Sequence, residues 1–512
     1  MAGIYLHIPF CRQKCNYCNF FSLATTKFRD AFFQALLKEI YLTRDYLGDE
    51  PIETIYFGGG TPSLLPVSRL EEIIDKVQGS KFKVQEKSHE ARRTKDVGRG
   101  TSREFSTANC QLPTGNCLLP TANCQLPNAD CQFREITLEM NPDDVTPEYL
   151  EALSHSAIHR LSLGVQSFFD EDLQYLSRNH DGRQAVKAIE MIRDTGYKLQ
   201  ITKRSEAGFG EANYELRDAG CRMPDKKPVT SNQQPATISI DLIYGIPTLT
   251  NEHWKENLQR VIDMGIPHLS AYALTVEPKT PLAWQIAQGA VGSWQLAVGR
   301  KHSPRRHGTT APHHHGATAP SHKNPVSGIR YPVSDDQASE QFEILMDLME
   351  QAGYIQYEIS NFCLPGYESI HNSNYWKGTS YLGLGPSAHS YNGTSRRWNI
   401  SNLTTYIQGI QSGKPVTEEE VLTPIQQYNE YIMTSLRTIG GTDLHEITQR
   451  FGPVFENYCR HQAIRHLASG HLAGSSGIYT LTRKGKFLSD GIAADLFMVE
   501  NRPSRSLRPL RS

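Results

Sequence analysis

Three cysteines near the N-terminus, Cys11, Cys15 and Cys18, stand in the spacing C-x₃-C-x₂-C. Thiolates this close together on one loop can converge on a metal centre. A [4Fe–4S] cluster is usually held by four thiolates, so three ligands leave one iron open to a small chelating molecule. Structural zinc sites instead collect four ligands, usually as two C-x₂₋₄-C or H-x₃₋₅-H pairs, and no second pair follows here. Three buried free cysteines fit poorly in a loop as polar as this one, with Arg12, Gln13, Lys14, Asn16 and Asn19. The trio predicts an incompletely ligated iron–sulfur cluster, and with it reduced thiols and a cytoplasmic location.

A second set of chemistry-bearing residues falls at the ends of short apolar runs. Thr54–Phe57 leads into Gly58-Gly59-Gly60-Thr61-Pro62, where missing Cβ atoms let backbone approach a ligand. Glu135–Glu139 ends in a carboxylate suited to ribose hydroxyls. Arg160–Val165 leads to Gln166, with Arg178 expected in the following helix. Ser239–Tyr244 carries Asp241 in an apolar setting, and His268–Leu274 brings Tyr272 near Thr275 and Glu277. Each has a plainer explanation taken singly: Glu139 could cap a helix, Arg178 could pair on a surface, Asp241 could satisfy backbone donors. Independent capping would not select the same end of every strand, and barrel active sites gather at the C-terminal strand ends.

These five runs and Gly3–Ile8 alternate with amphipathic helices over residues 1–290. Ser68 is expected to cap a helix whose Leu70, Ile73, Ile74 and Val77 share a face. Thr146 precedes Pro147, a favoured first helical residue. Val186, Ile189 and Ile192 form a stripe stopping near Gly196, and Trp254, Leu258, Val261 and Ile262 form another between Asn251 and Gly265. Repeated βα units imply an α/β fold with a parallel sheet, and six of them a full or partial (β/α)₆ barrel.

Three low-complexity inserts interrupt this rhythm. Residues 83–132 hold a tandem heptapeptide that spaces Cys110, Cys117, Cys124 and Cys131 seven apart. Its prolines block a helical heptad and it has no C-x₂-C pair, so a disordered insert is favoured over a zinc site. Residues 203–236 are polar, and 292–334 contain His313-His314-His315, read as a solvated linker. Residues 335–415 extend the barrel, beginning with a helix over Asp336–Gly353. Residues 416–500 form a small α+β domain: a helix at Leu444–Phe451 and a hairpin around Gly474-Ser-Ser-Gly477 suggest a winged helix in a structural role. A basic tail occupies 501–512.

At 512 residues the chain can bury more than one core. Its 53 basic and 54 acidic side chains give a net charge of -1, so no global field recruits nucleic acid or an anionic membrane. No apolar run is long enough for a membrane span, which leaves at most peripheral membrane association, and no signal peptide is visible.

His7-Ile-Pro-Phe-Cys11, Tyr56-Phe-Gly-Gly-Gly-Thr-Pro62, Glu139-Met-Asn-Pro142, Gly164-Val-Gln166 and Asp241-Leu-Ile-Tyr-Gly-Ile-Pro247 together resemble the oxygen-independent coproporphyrinogen III oxidase group of radical S-adenosylmethionine (SAM) proteins. The resemblance spans nearly everything outside the inserts. It implies a partial barrel in which Cys11, Cys15 and Cys18 hold [4Fe–4S] and Gly59, Gly60 and Thr61 receive the methionyl part of SAM. It further implies SAM or cluster contacts for Tyr5, Tyr17, Glu139, Gln166, Arg178 and Asp241, with Tyr272 an addition. Within the group, the oxidases carry a fourth cysteine two residues after the trio, where this chain has Phe20. The HemW-type haem chaperones lack it and share an H-N-x-x-Y-W motif, matched by His371-Asn-Ser-Asn-Tyr375-Trp376. That branch implies haem bound at His371, Tyr375 and Trp376 and passed to apo-haemoproteins, particularly respiratory ones. Decarboxylation of coproporphyrinogen III with SAM is the alternative expectation.

Overall fold

The computed structural model describes residues 1–80, 133–195, 237–289 and 334–499. The heptapeptide with its four cysteines, the polar insert, the histidine-bearing insert as far as 333 and the basic tail lie outside the described residues.

Six parallel strands lie side by side in sequence order: β1 (Ala2–Ile8), β2 (Ile52–Gly59), β3 (Glu135–Met140), β4 (Arg160–Gln166), β5 (Thr237–Tyr244) and β6 (His268–Ala273). They coincide with the six expected runs, give or take a residue or two at the ends. Alternation decides what each strand does. Ile4, Leu6, Ile55, Phe57, Ile136, Leu138, Leu161, Leu163, Ile238 and Ile240 are fully buried in one aliphatic core. The alternate positions, among them Tyr56, Thr137, Ser162, Ser239, Asp241 and Ser270, face a cavity on the other side.

The connecting helices are α1 (Arg29–Leu42), α2 (Val67–Gly79), α3 (Pro147–Ser154), α4 (Asp170–Tyr175), α5 (Gly182–Asp194) and α6 (Asn251–Asp263). Thr146 caps α3, accepting the Tyr149 N–H at 3.2 Å, with Pro147 first in the helix. Ser68 does not cap α2: extended Pro66 leads the chain in, and Ser68 falls inside the first turn. Thr250 caps α6, making Asn251 its first residue.

The barrel is partial, because neither outer strand meets the other. After α7 (Pro281–Gly289) and α8 (Asp335–Gln351), β7 (Ile355–Glu358) and β8 (Asn361–Cys363) form a hairpin antiparallel to β6. A short helix, α9 (Ile370–Trp376), precedes β9 (Tyr381–Leu384), which runs parallel to β1. Then β10 (His389–Tyr391), β11 (Ser395–Asn399), α10 (Leu403–Gln411) and β12 (Thr417–Val421) complete a 12-stranded sheet.

A second apolar core runs from Tyr428 to Leu496. It joins α11 (Pro424–Leu436), β13 (Thr442–Asp443), α12 (Leu444–Phe451), α13 (Pro453–Ala468), the hairpin β14 (Leu472–Ser475)–β15 (Ile478–Leu481), α14 (Arg483–Lys486) and α15 (Ser489–Leu496). Helices α11, α12 and α13 beside a small antiparallel sheet of order β13-β15-β14, with α14 and α15 after it, make the winged-helix-like arrangement.

Candidate functional site

The cysteine loop leaves the top of β1 and is clamped at both ends. Leu23 N–H donates to Pro9 O at 2.8 Å and Cys11 N–H to Leu23 O at 3.1 Å. The Asn16 side-chain amide donates to Tyr175 O at 2.7 Å, and the Asn16 backbone carbonyl accepts the Leu282 N–H at 2.9 Å, tying the loop to α4 and α7. All three thiols are free, half-buried and line one cavity of about 560 Å³. Burial pushes the Cys11 and Cys18 thiols up, so both keep their protons until a metal supplies compensating charge. Among the described residues no three His, Cys, Asp or Glu converge on a single ion. Three thiols on one cavity suit a polynuclear cluster, in which each thiolate meets a different iron.

Tyr17, Gly59, Gly60, Thr61, Glu139, Gln166, Arg178, Asp241 and Tyr272 line the same cavity, so nine of the expected residues meet there. Gly59 has φ 106°, and a Cβ on Gly60 would sit 2.6 Å from Phe10 O, so the chain passes only without side chains. The N–H groups of Gly59, Gly60 and Thr61 are spent on Glu139, Ile8 and Phe10. This loop therefore suits a cationic group, which needs acceptors, better than an anion. Glu139 accepts the Tyr56 O–H at 2.8 Å and the Gly59 N–H at 3.1 Å. Removal from bulk water, with Asp241 adding to it, raises Glu139 to about 7; removal from water likewise raises Asp241 to about 6 against the Ser270 and Ser162 hydroxyls. Gln166 ends β4 at a register shift with φ 69°, a strained backbone that turns its amide into the cavity.

Arg178 is not in a helix: it lies in the turn after α4, which ends at Tyr175. The left-handed Ser177 before it breaks the helical pattern. The guanidinium donates to Asn141 Oδ1 at 2.6 Å, Gly164 O at 2.7 Å and Cys15 Sγ at 3.5 Å, while its Nε has no partner among the described residues. Tyr5 stands behind the cavity wall, stacked on Tyr56 with its hydroxyl 3.3 Å from His7 Nδ1. Phe20 is 63 % exposed at the mouth. Tyr56, Asn141, Ser162 and Ser270 complete the walls without having been singled out from sequence. Extending each strand motif by its period of two would have found Tyr56 and Ser162.

His371 projects from α9 into the floor of the barrel, at the opposite end from the cysteines. The Ser369 hydroxyl and the Ile370 and His371 N–H groups donate to Glu135, fixing the helix start. His371 Nδ1 is 2.8 Å from Thr54 Oγ1, and its ring stacks on Tyr56 at 5.0 Å. Burial lowers His371 to about 4, so the imidazole is neutral. Tyr375 and Trp376 meet each other edge to face, with Tyr375 also against Tyr381, away from the Tyr56 stack. The structure thus brings the nine cavity residues together; Ser369 and Asn372, on either side of His371, reach the same cavity, while His371, Tyr375 and Trp376 do not line it.

A parallel partial barrel with three free cysteines on the loop after its first strand defines a class, and the sequence profile of the radical SAM superfamily matches residues 5–211. Over those residues the chain is similar to that superfamily. The HemN C-terminal domain profile matches residues 422–488. Along nearly its whole length the chain is similar to proteins named heme chaperone HemW. The Bacillus subtilis protein is 26% identical, covering 96% of this chain and 98% of that one. The Mycobacterium tuberculosis protein is 27% identical over 96% and 94%, and the Escherichia coli protein 25% over 97% and 98%. The solved coproporphyrinogen III oxidase HemN of Escherichia coli shares the fold, with TM-score 0.63, 18% identity and coverage of 97% of this chain and 90% of that one. Among the described residues no helix is long and apolar enough to cross a membrane.

Proposed function

We infer that this chain binds haem and transfers it to apo-haemoproteins, respiratory ones in particular, using a radical SAM scaffold in the cytoplasm with at most peripheral membrane contact. The observation that carries the reading is Phe20, an exposed phenyl ring where the oxidases place a fourth cysteine. The full-length similarity to proteins named haem chaperones supports it.

Cys11, Cys15 and Cys18 would hold a [4Fe–4S] cluster, and the donor set fits: three free thiols line one cavity, with the Arg178 guanidinium 3.5 Å from Cys15 Sγ. SAM would sit against Tyr17, Gly59, Gly60, Thr61, Glu139, Gln166, Arg178 and Asp241, with Tyr5 bracing the wall. When bound, cluster and SAM supply one-electron chemistry. The protein's part is to orient: the glycine loop accepts a cation, Glu139 accepts hydrogen bonds from hydroxyls, and Arg178 fixes an anion. At the floor, neutral His371 can donate from Nδ1 to Thr54 and leave the Nε2 lone pair for haem iron, with Tyr375 and Trp376 as aromatic surface nearby.

Anaerobic reconstitution followed by haem titration tests this. The expected result is about four irons per chain, lost in Cys15→Ser, and a Soret band that His371→Ala weakens. An unchanged haem spectrum in His371→Ala removes the ligand assignment. The second reading, coproporphyrinogen III oxidation, is favoured by the fold shared with that enzyme. Vinyl product in an anaerobic assay with SAM, reductant and coproporphyrinogen III would put it first.

A further inference from the structure

The nucleotide residues and the haem residue occupy opposite ends of the barrel, yet one side chain touches both. The Tyr56 hydroxyl donates to Glu139 Oε1 at 2.8 Å, while its ring stacks on His371 with centroids 5.0 Å apart and planes 30° off parallel. Little slack exists around this contact. Tyr5 stacks on Tyr56 at 6.0 Å. Thr54 holds His371 Nδ1, and even a Cβ on Gly3 would lie 3.0 Å from Thr54 Oγ1 and 3.3 Å from the His371 ring.

We propose that Tyr56 is a positioning residue that links the two sites, so that a nucleoside bound at Glu139 changes the affinity of His371 for haem, and the reverse. This rests on the haem reading above. Glu139 is shared: hydroxyls of a bound ribose compete with the Tyr56 O–H for the same carboxylate. A shift of the Tyr56 hydroxyl tilts its ring, and the ring forms one wall of the His371 slot. Close-packed groups respond in concert rather than independently. Linkage then requires equal and reciprocal effects on the two affinities.

The experiment measures haem affinity by Soret difference titration of the cluster-loaded protein, with and without saturating SAM, the cluster kept oxidised so that SAM is not consumed. Equilibrium dialysis confirms that SAM is bound in each sample. Wild type should show a change of about fivefold or more on adding SAM. Tyr56→Phe keeps the ring on His371 and loses only the hydroxyl. Its haem affinity should be the same with and without SAM, so that the SAM effect vanishes. A SAM effect retained in Tyr56→Phe, or absent from wild type with SAM bound, overturns the linkage. Unaltered haem affinity in His371→Ala overturns instead the haem placement beneath it, a separate result.

Discussion

Glu139 carries a carboxyl raised to about 7, first by its removal from bulk water and then by the charge of Asp241. The consequence for stability has a definite sign. Between the ordinary carboxylate range and pH 7 the folded protein binds a proton that the unfolded chain has released, so this contribution is full at low pH and lost as pH rises through about 7. Glu139→Gln cannot titrate, and without SAM it should gain stability relative to wild type as pH goes from 4.5 to 7. Paired denaturant titrations across that range would show it, and a constant difference would refute it. Most of this site was legible in sequence, because Cys11, Gly59, Glu139, Gln166 and Asp241 sit in short motifs whose distance along the chain does not matter once strands are parallel. The location of Arg178 was not, since the helix pattern gave no sign that α4 stops at Tyr175. The enclosure of His371 was equally hidden, because its partners Thr54 and Tyr56 lie over 300 residues away in sequence.

Between elements, a polar junction forms at Glu39 on α1, a carboxylate only 1% exposed. It accepts the Gly385 N–H at 2.8 Å, the Asn399 amide at 2.6 Å and the Tyr406 O–H at 2.6 Å, joining α1 to the turn after β9, to β11 and to α10. Glu39→Ala would leave three buried donors without an acceptor and should cost about 3 kcal/mol in chemical denaturation, without altering iron stoichiometry in the folded fraction. A loss below about 1 kcal/mol would mean that water replaces the carboxylate. Sequence reasoning found β1 to β6 and the α12–hairpin order because apolar alternation and cap signals repeat there. It left the stretch holding β9 to β11 without strands, and it assigned residues 416–500 to the separate C-terminal domain, whereas β12 within them pairs with β11 in the barrel sheet. Strands β9 to β11 are three to five residues long, and β12 is Thr417-Glu-Glu-Glu-Val421, so no period-two apolar pattern stands out.

At the scale of the molecule, Arg437 joins the two cores. It pairs with buried Glu358 at 3.1 Å and with Asp490 at 2.9 Å, and its guanidinium lies 5.1 Å from the Trp376 ring centroid. Arg437→Ala should cost about 3 kcal/mol by stranding Glu358. It should also split the calorimetric unfolding peak, because the Tyr428–Leu496 core would no longer melt with the barrel. One undivided peak at the wild-type temperature would show the two cores coupled through other contacts. The strand order carries a different consequence. The free side of β1 is completed by β9, where Gly3 pairs with Tyr381, so β1 waits for a strand made hundreds of residues later. At translation speeds of about 5–20 residues per second, that edge stays open for tens of seconds. An unpaired strand edge is a template for intermolecular pairing. Slower elongation or a crowded polysome should therefore lower the soluble yield of this protein before any cofactor is involved.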